Sequence, residues 1–218
     1  MVLWVGLVLG VVAAAVSYAL RPALAGSSQM WLGLGLPYLL LAAGGLMRLK
    51  RQQQLSALWS LRRGDASLGI LLGLGLLGAT WLLSKQWLYG GTAQRAWLFE
   101  VFLLAGNPDS VAGGVWLLGI VACEEIVWRG WVQFELRERL GGRRAWIVCA
   151  LCYGVAHLPT LFTLQDDVAG NNPLLVLAAL GCGLCWSFVA ERTGRLAPAL
   201  FAHAVFSYFA AHSLRFLV

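Results

Sequence analysis

The chain is divided into apolar runs, each about as long as the hydrocarbon core of a bilayer is thick. Seven such runs lie at roughly 2–20, 29–47, 67–87, 113–135, 145–164, 173–191 and 196–216. A transmembrane helix needs about 20 mainly apolar residues. In lipid every backbone N–H and C=O must be bonded internally, so only helices or closed barrels can span. Barrel strands alternate between apolar and polar residues. The stretch from Ile70 to Leu77 is continuously apolar, so helices are expected. The expected fold class is all-α: a polytopic membrane helical bundle of about seven transmembrane helices plus short interfacial helices, forming a single integral membrane domain over 1–218. Composition closes the other routes. Of 218 residues, 60% are hydrophobic and 12% charged. That is too apolar for a soluble domain of this size and the opposite of a disordered chain.

The net charge of +6 does not point to nucleic acid, because the basic residues sit in short clusters between spans. Arg48, Lys50, Arg51, Arg62 and Arg63 follow the second span. Arg137, Arg139, Arg143 and Arg144 follow the fourth, and Arg192 and Arg195 the sixth. These are eleven of the sixteen basic residues, all on one side if the spans alternate. Arg21, Lys85, Arg95 and Arg215 fall on the other, with the acidic pair Asp166 and Asp167; Arg129 lies inside a span. The positive-inside rule makes the eleven-residue side cytoplasmic. The N-terminus is then inside and the C-terminus outside, in what is expected to be a bacterial inner membrane.

Two segments read as interfacial. Gln52 to Arg63 carries Leu55, Leu58, Trp59 and Leu61 among polar residues, which suits an amphipathic helix at the headgroups. Ala96 to Ala105 is apolar, too short to span, and carries Glu100; a re-entrant or surface segment is expected. Ala23-Leu24-Ala25 resembles a signal-peptide cleavage site. No basic residue precedes the apolar run, so the first span is expected to be retained. Gly6 and Gly10, like Gly69 and Gly73, stand four apart, a spacing that lets membrane helices approach closely. Packing is the expected role, ahead of dimerisation. Trp31, Trp87 and Trp146 sit near span ends as interface anchors, and His212 is expected at the interface. Trp128 and Trp131 could line a substrate path. Cys149-x-x-Cys152 and Cys182-x-x-Cys185 imitate zinc ligands but lie in apolar helices, where cysteine acts as a small hydrophobe.

The informative residues are the ionisable ones at depth, since each costs roughly 2.5–3.5 kcal/mol at a helix centre and such residues mark function. Glu124 is twelve residues from the end of its span near 136, His157 twelve from the start of its span at 145, and His203 eight beyond Arg195. At 1.5 Å per residue these depths are about 18, 18 and 12 Å. Three helices thus present polar groups at similar depth, and a shared water-filled cavity is the natural way to solvate them. Glu125 and Arg129, four apart, can neutralise each other on one helix face. Glu124 points about 100° away and is free for another task. Tyr153 and His157 share a face, as do His203 and Ser207.

Two chemistries fit this set. A carboxylate beside a histidine can deprotonate water for attack on a carbonyl, while a second histidine and a hydroxyl stabilise the oxyanion. Alternatively, Glu124, His157 and His203 could hold zinc with water as fourth ligand. No His-Glu-x-x-His helix supports the zinc reading.

At these residues the sequence resembles the CPBP family, also called the Abi or type II CAAX prenyl endopeptidase family, polytopic intramembrane proteases. The family's Glu-Glu-x-x-x-Arg motif is matched by Glu124, Glu125 and Arg129. Its Phe-x-x-x-His motif is matched by His157, with Tyr153 in the aromatic place. Its His-x-x-x-Asn motif is matched by His203, with Ser207 in the last place. The resemblance covers about 113–210. It implies glutamic-type proteolysis with no cofactor: Glu124 with His157 activates water, His203 with Ser207 stabilises the oxyanion, and Glu125 and Arg129, beside Tyr153, hold the site in shape. Membrane lipids and a membrane-anchored protein or peptide are the implied partners, with no nucleic acid. Prenylated CAAX tails, bacteriocin-type peptides and C-terminal sorting tags, the last in a myxosortase-like role, are the substrate classes; tag or peptide processing is favoured. A non-catalytic bacteriocin-immunity or scaffold protein, and a proton-coupled carrier, are the readings from other classes.

Overall fold

The computed structural model describes residues 2–87, 92–104 and 110–213. Its elements are helices: α1 (Val2–Ala19), α2 (Ser28–Arg51), α3 (Leu55–Leu58), α4 (Asp65–Trp87), α5 (Gln94–Leu104), α6 (Val111–Glu125), α7 (Gln133–Leu140), α8 (Gly142–Ala156), α9 (Thr160–Thr163), α10 (Leu174–Thr193) and α11 (Ala197–Ser213). A 3₁₀ turn, Pro22–Leu24, joins α1 to α2. A π-helical segment, Ile126–Val132, joins α6 to α7 without a break. No strand occurs among the described residues. The all-α membrane bundle is therefore the fold.

Five helical stretches are long and apolar enough to cross a membrane: Ser28–Arg51, Asp65–Gln86, Val111–Leu140, Gly142–Thr163 and Leu174–Thr193. The shorter apolar helix Trp4–Ala19 and α11 stand outside that set. The end of the seventh expected span, with Arg215, lies outside the described residues, as does the side chain of Trp87.

Local chemistry sets the helix ends. Ser27 caps α2 by accepting the Met30 N–H at 3.2 Å, and Arg48, Lys50 and Arg51 crowd its last turn, where cations favour the negative end of the helix dipole. Ser110 caps α6 through the Gly113 N–H at 3.3 Å. Gly194 closes α10 at φ 66°, a left-handed turn that a residue without a side chain enters freely.

The expected amphipathic helix over 52–63 is reduced to the single turn of α3. Gln53 adopts φ 58°, which ends α2. Leu58 then turns inward against the core and its carbonyl accepts the Leu196 N–H at 3.0 Å. Burying Leu58 and bonding its backbone displaces the surface helix that the leucine spacing suggested. The segment at 96–105 is the docked helix α5. Its Leu104 carbonyl accepts the Gly26 N–H at 3.2 Å, and its Trp97 carbonyl accepts from Asn172 Nδ2 at 2.8 Å.

The core forms around the π-helical segment, where Ile126, Val127, Trp128, Arg129, Gly130 and Val132 are all buried. Helices α2, α8 and α11 pack around this central rod, α10 bridges α8 and α11, and α1 covers α2 and α8. Trp128 is fully buried, with its indole N–H donated to the Tyr38 hydroxyl at 3.3 Å, so it does not line a substrate path. Trp131 packs over Gly45. Helix α4 packs chiefly on α11, with Gly69 and Gly73 in the seam. A Cβ at Gly73 would stand 2.7 Å from the Ala202 carbonyl oxygen. The outward faces carry exposed leucines such as Leu40 and Leu71, as lipid contact requires.

Three ion pairs fasten one end of the bundle: Arg48–Glu135 at 2.8 Å, Arg137–Glu191 at 3.4 Å and Arg195–Asp65 at 2.6 Å. The three basic clusters therefore gather at the same end, away from α5 and the Asp166–Gly170 turn.

Candidate active site

Five of the singled-out side chains meet at one buried cluster built by α6, the π-helical segment, α8 and α11. Glu124 and Glu125 close α6, and the π-helical turns begin immediately after them. Such turns are rare and frequently sit at functional sites. Neighbours on a helix point about 100° apart, so the two glutamates enter different surroundings.

Glu125 faces inward. Its Oε1 accepts from Arg129 Nη1 at 2.9 Å and from His203 Nδ1 at 2.8 Å. The Glu125 and Arg129 side chains are both 0% exposed, so neither charge has water to fall back on. Arg129 is held from three directions. It donates to Glu125, from Nε to the Ser187 hydroxyl at 3.2 Å, and from Nη2 to the Gly183 carbonyl at 3.3 Å. Its guanidinium also lies 4.6 Å from the Tyr153 ring centre, a cation–π contact. Gly183 admits this approach because a Cβ there would meet Tyr153 at 3.0 Å.

Glu124 is the more open carboxylate, with a side chain 9% exposed. Its Oε2 accepts the Tyr153 hydroxyl at 2.9 Å and faces His203 Nε2 at 3.7 Å. The latter is beyond hydrogen-bond range. His203 therefore stands between the glutamates, one nitrogen bonded to Glu125 and the other turned toward Glu124. A carboxylate only accepts, so Nδ1 carries the proton. Trp186 fixes the plane of the imidazole by stacking on it, ring centres 3.7 Å apart and planes 20° from parallel.

His157 caps the end of α8. Its Nδ1 lies 2.8 Å from the Tyr153 carbonyl oxygen. That oxygen can only accept, so Nδ1 bears the hydrogen and Nε2 of the neutral ring is a free acceptor. Thr160 returns to the His157 carbonyl at 2.7 Å. No direct hydrogen bond joins His157 to Glu124. The Tyr153 ring lies between the two histidines, 4.7 Å from His157 and 6.5 Å from His203, edge-on to both. Ser207 is half-buried one turn beyond His203, and its hydroxyl has no hydrogen-bond partner among the described residues.

The set thus meets as a packed cluster. A cavity of about 330 Å³ borders it at Arg129 and Gln133, walled also by Leu58, Arg137, Glu191 and Gly194. Among the described residues no group of three or more His, Cys, Asp or Glu side chains is arranged to hold a metal ion. The five cysteines carry no disulfide, and Cys149 donates to the Trp128 carbonyl at 3.2 Å.

Tyr38, Trp186, Ser187 and Gly183 were not singled out by the sequence. The spacing of Gly183, Trp186 and Ser187 on α10 was the available signal: at offsets of three and four they share one helix face. Tyr38 carries no such signal.

Residues 107–209 match the family model of the type II CAAX prenyl endopeptidases, Rce1-like. Neither a curated protein nor a solved structure matches the chain.

Proposed function

From the premise that residues 107–209 form an Rce1-like type II CAAX prenyl endopeptidase domain, and that this domain makes the chain a membrane-embedded hydrolase of peptide bonds, we propose a glutamic-type mechanism centred on Glu124. Glu124 is the general base. It takes a proton from a water that the free Nε2 of His157 helps to orient, and the water attacks the scissile carbonyl. His203 and Ser207 face the oxyanion. Glu125 and Arg129 keep His203 in register. The difference between the two adjacent glutamates carries this reading. Glu125 is completely buried and its Oε1 is engaged by both Arg129 and His203, whereas Glu124 is the carboxylate that retains some exposure.

The substrate is the membrane-embedded or lipid-linked terminus of another protein. The segregation of basic residues supports a cytoplasmic position for the Arg48/Arg137/Arg195 end, with the N-terminus inside, in a bacterial inner membrane. There, processing of C-terminal tags or peptides is the favoured activity. The family's own description supports a second reading, cleavage of a prenylated CAAX tail.

The test is a comparison of membrane proteins by mass spectrometry in cells carrying the wild type or Glu124→Ala. Termini that appear with the wild type and vanish with the variant are expected, and their sequence and lipid content separate the two substrate readings. Unchanged termini would leave a non-catalytic scaffold or immunity role. Activity of the purified protein is expected to survive EDTA; loss on chelation, restored by zinc, would replace the metal-free mechanism.

A further inference from the structure

Resting on that reading, we propose that Tyr153 is a catalytic residue whose hydroxyl donates to the tetrahedral oxyanion, adding a hydrogen bond to those of His203 and Ser207. The motif resembled by Tyr153-x-x-x-His157 carries phenylalanine, which has no such hydroxyl, and the motif resembled by His203-x-x-x-Ser207 carries asparagine. Relative to those motif residues, this chain carries one additional donor and one shorter donor within a single site.

The geometry carries the assignment. The Tyr153 hydroxyl is 2.9 Å from Glu124 Oε2. A water deprotonated by Glu124 sits within hydrogen-bond reach of that carboxylate, and the carbonyl carbon it attacks lies about 3–3.5 Å from the water. The oxyanion therefore forms near a hydroxyl that already touches Glu124. The Tyr153 ring is held by edge contacts to Trp128 at 5.5 Å and His157 at 4.7 Å, and by the Arg129 guanidinium, so the hydroxyl is preorganised. The Ser207 hydroxyl, by contrast, has no hydrogen-bond partner among the described residues to aim it.

The step balances. The water oxygen forms a bond to the carbonyl carbon, and the π pair moves onto the carbonyl oxygen. The water proton passes to Glu124. A hydrogen bond to a carboxylate is roughly twice as strong as one to a neutral acceptor, so protonated Glu124 holds Tyr153 less tightly just as the oxyanion becomes the strongest acceptor nearby. The Tyr153 hydroxyl transfers its hydrogen bond, not its proton. As the tetrahedral species collapses, the C–N bond breaks, Glu124 returns its proton to the leaving amine, and Tyr153 donates again to the carboxylate.

The experiment uses the full chain in its membrane. Termini that depend on Glu124 are identified first, and a peptide spanning the cleaved terminus is then assayed with the protein in liposomes. Tyr153→Phe is expected to lower kcat by about 100- to 1,000-fold, the loss seen when one oxyanion donor is removed, with KM and thermal unfolding little moved. Adding Ser207→Asn to Tyr153→Phe is expected to recover at least tenfold. Tyr153→Phe activity within twofold of wild type overturns the inference and leaves the Glu124 reading standing. A loss that Ser207→Asn does not recover overturns the oxyanion assignment and makes Tyr153 a positioning residue for Glu124. The absence of any Glu124-dependent terminus overturns the hydrolytic reading and this inference with it.

Discussion

Glu125 and Arg129 close an ion pair at 2.9 Å in which both side chains are completely buried. Removing one partner of such a pair strands the other charge, at a cost of about 3–5 kcal/mol. Arg129→Met is expected to lower stability by about that amount, read by denaturant titration in detergent. Arg129→Lys is expected to recover less than half of it. An ammonium is a point donor, while Arg129 reaches Glu125, Ser187 and Gly183 in three directions.

Trp186 stacks on His203 with ring centres 3.7 Å apart and is itself 2% exposed. Trp186→Ala removes a buried aromatic, a loss of about 3–5 kcal/mol, and frees the imidazole to rotate away from Glu124. Trp186→Phe keeps a ring against His203 and is expected to lose less stability. The decisive measurement is cleavage by Trp186→Phe at a temperature where the protein is fully folded: kcat is expected to stay within about tenfold of wild type. A larger loss there would assign Trp186 a role beyond holding the ring.

Much of this site is legible in the sequence because helices convert spacing into direction. The offset of four between Glu125 and Arg129 predicts their pairing, and the pair is present. The offset of one between Glu124 and Glu125 predicts different surroundings, and they differ. What spacing does not reveal is contact between helices. That Tyr153 donates to Glu124, that His203 stands between both glutamates, and that Tyr38 meets Trp128 all depend on how α2, α8 and α11 pack. The same packing decides that Glu124 and His157 share no direct hydrogen bond: the Tyr153 hydroxyl bonds Glu124 and its ring packs edge-on against His157. The leucines of 52–63 mislead because Leu58 is drawn into the core, which periodicity counts as a surface stripe.

Glu100 on α5 lies outside the spanning helices, partly buried and near Asp166 and Asp167. Desolvation first, then those two carboxylates, raise its pKa above the ordinary glutamate value. A carboxyl whose folded pKa is raised costs stability when ionised, and the cost is relieved as pH falls through that pKa. Docking of α5 is therefore expected to tighten on mild acidification from neutral pH. Hydrogen exchange of the amides of α5, followed against pH, checks this. Glu100→Gln is expected to slow exchange at neutral pH and to remove the pH response.

Two glycine pairs with the same spacing occupy different places, and substitution should separate them. Gly69 and Gly73 lie in the seam between α4 and α11. Any Cβ at Gly73 meets the Ala202 carbonyl oxygen at 2.7 Å, a backbone atom that cannot step aside. At Gly6 and Gly10 a Cβ would meet nothing within 4 Å. Overpacking a close seam costs typically about 1–3 kcal/mol, whereas glycine to alanine on an open helix face gains up to about 1 kcal/mol. Gly73→Ala is accordingly expected to lower the unfolding temperature and Gly6→Ala to leave it level or raise it. The seam also positions catalysis, because Ala202 precedes His203 on α11. Gly73→Ala must push that backbone outward or force α4 away. An outward push on that backbone changes the 2.8 Å bond from His203 to Glu125, so cleavage is expected to fall with Gly73→Ala even where the protein remains folded. Full activity in folded Gly73→Ala would show that α4 yields and that α11 is held in place by the core alone.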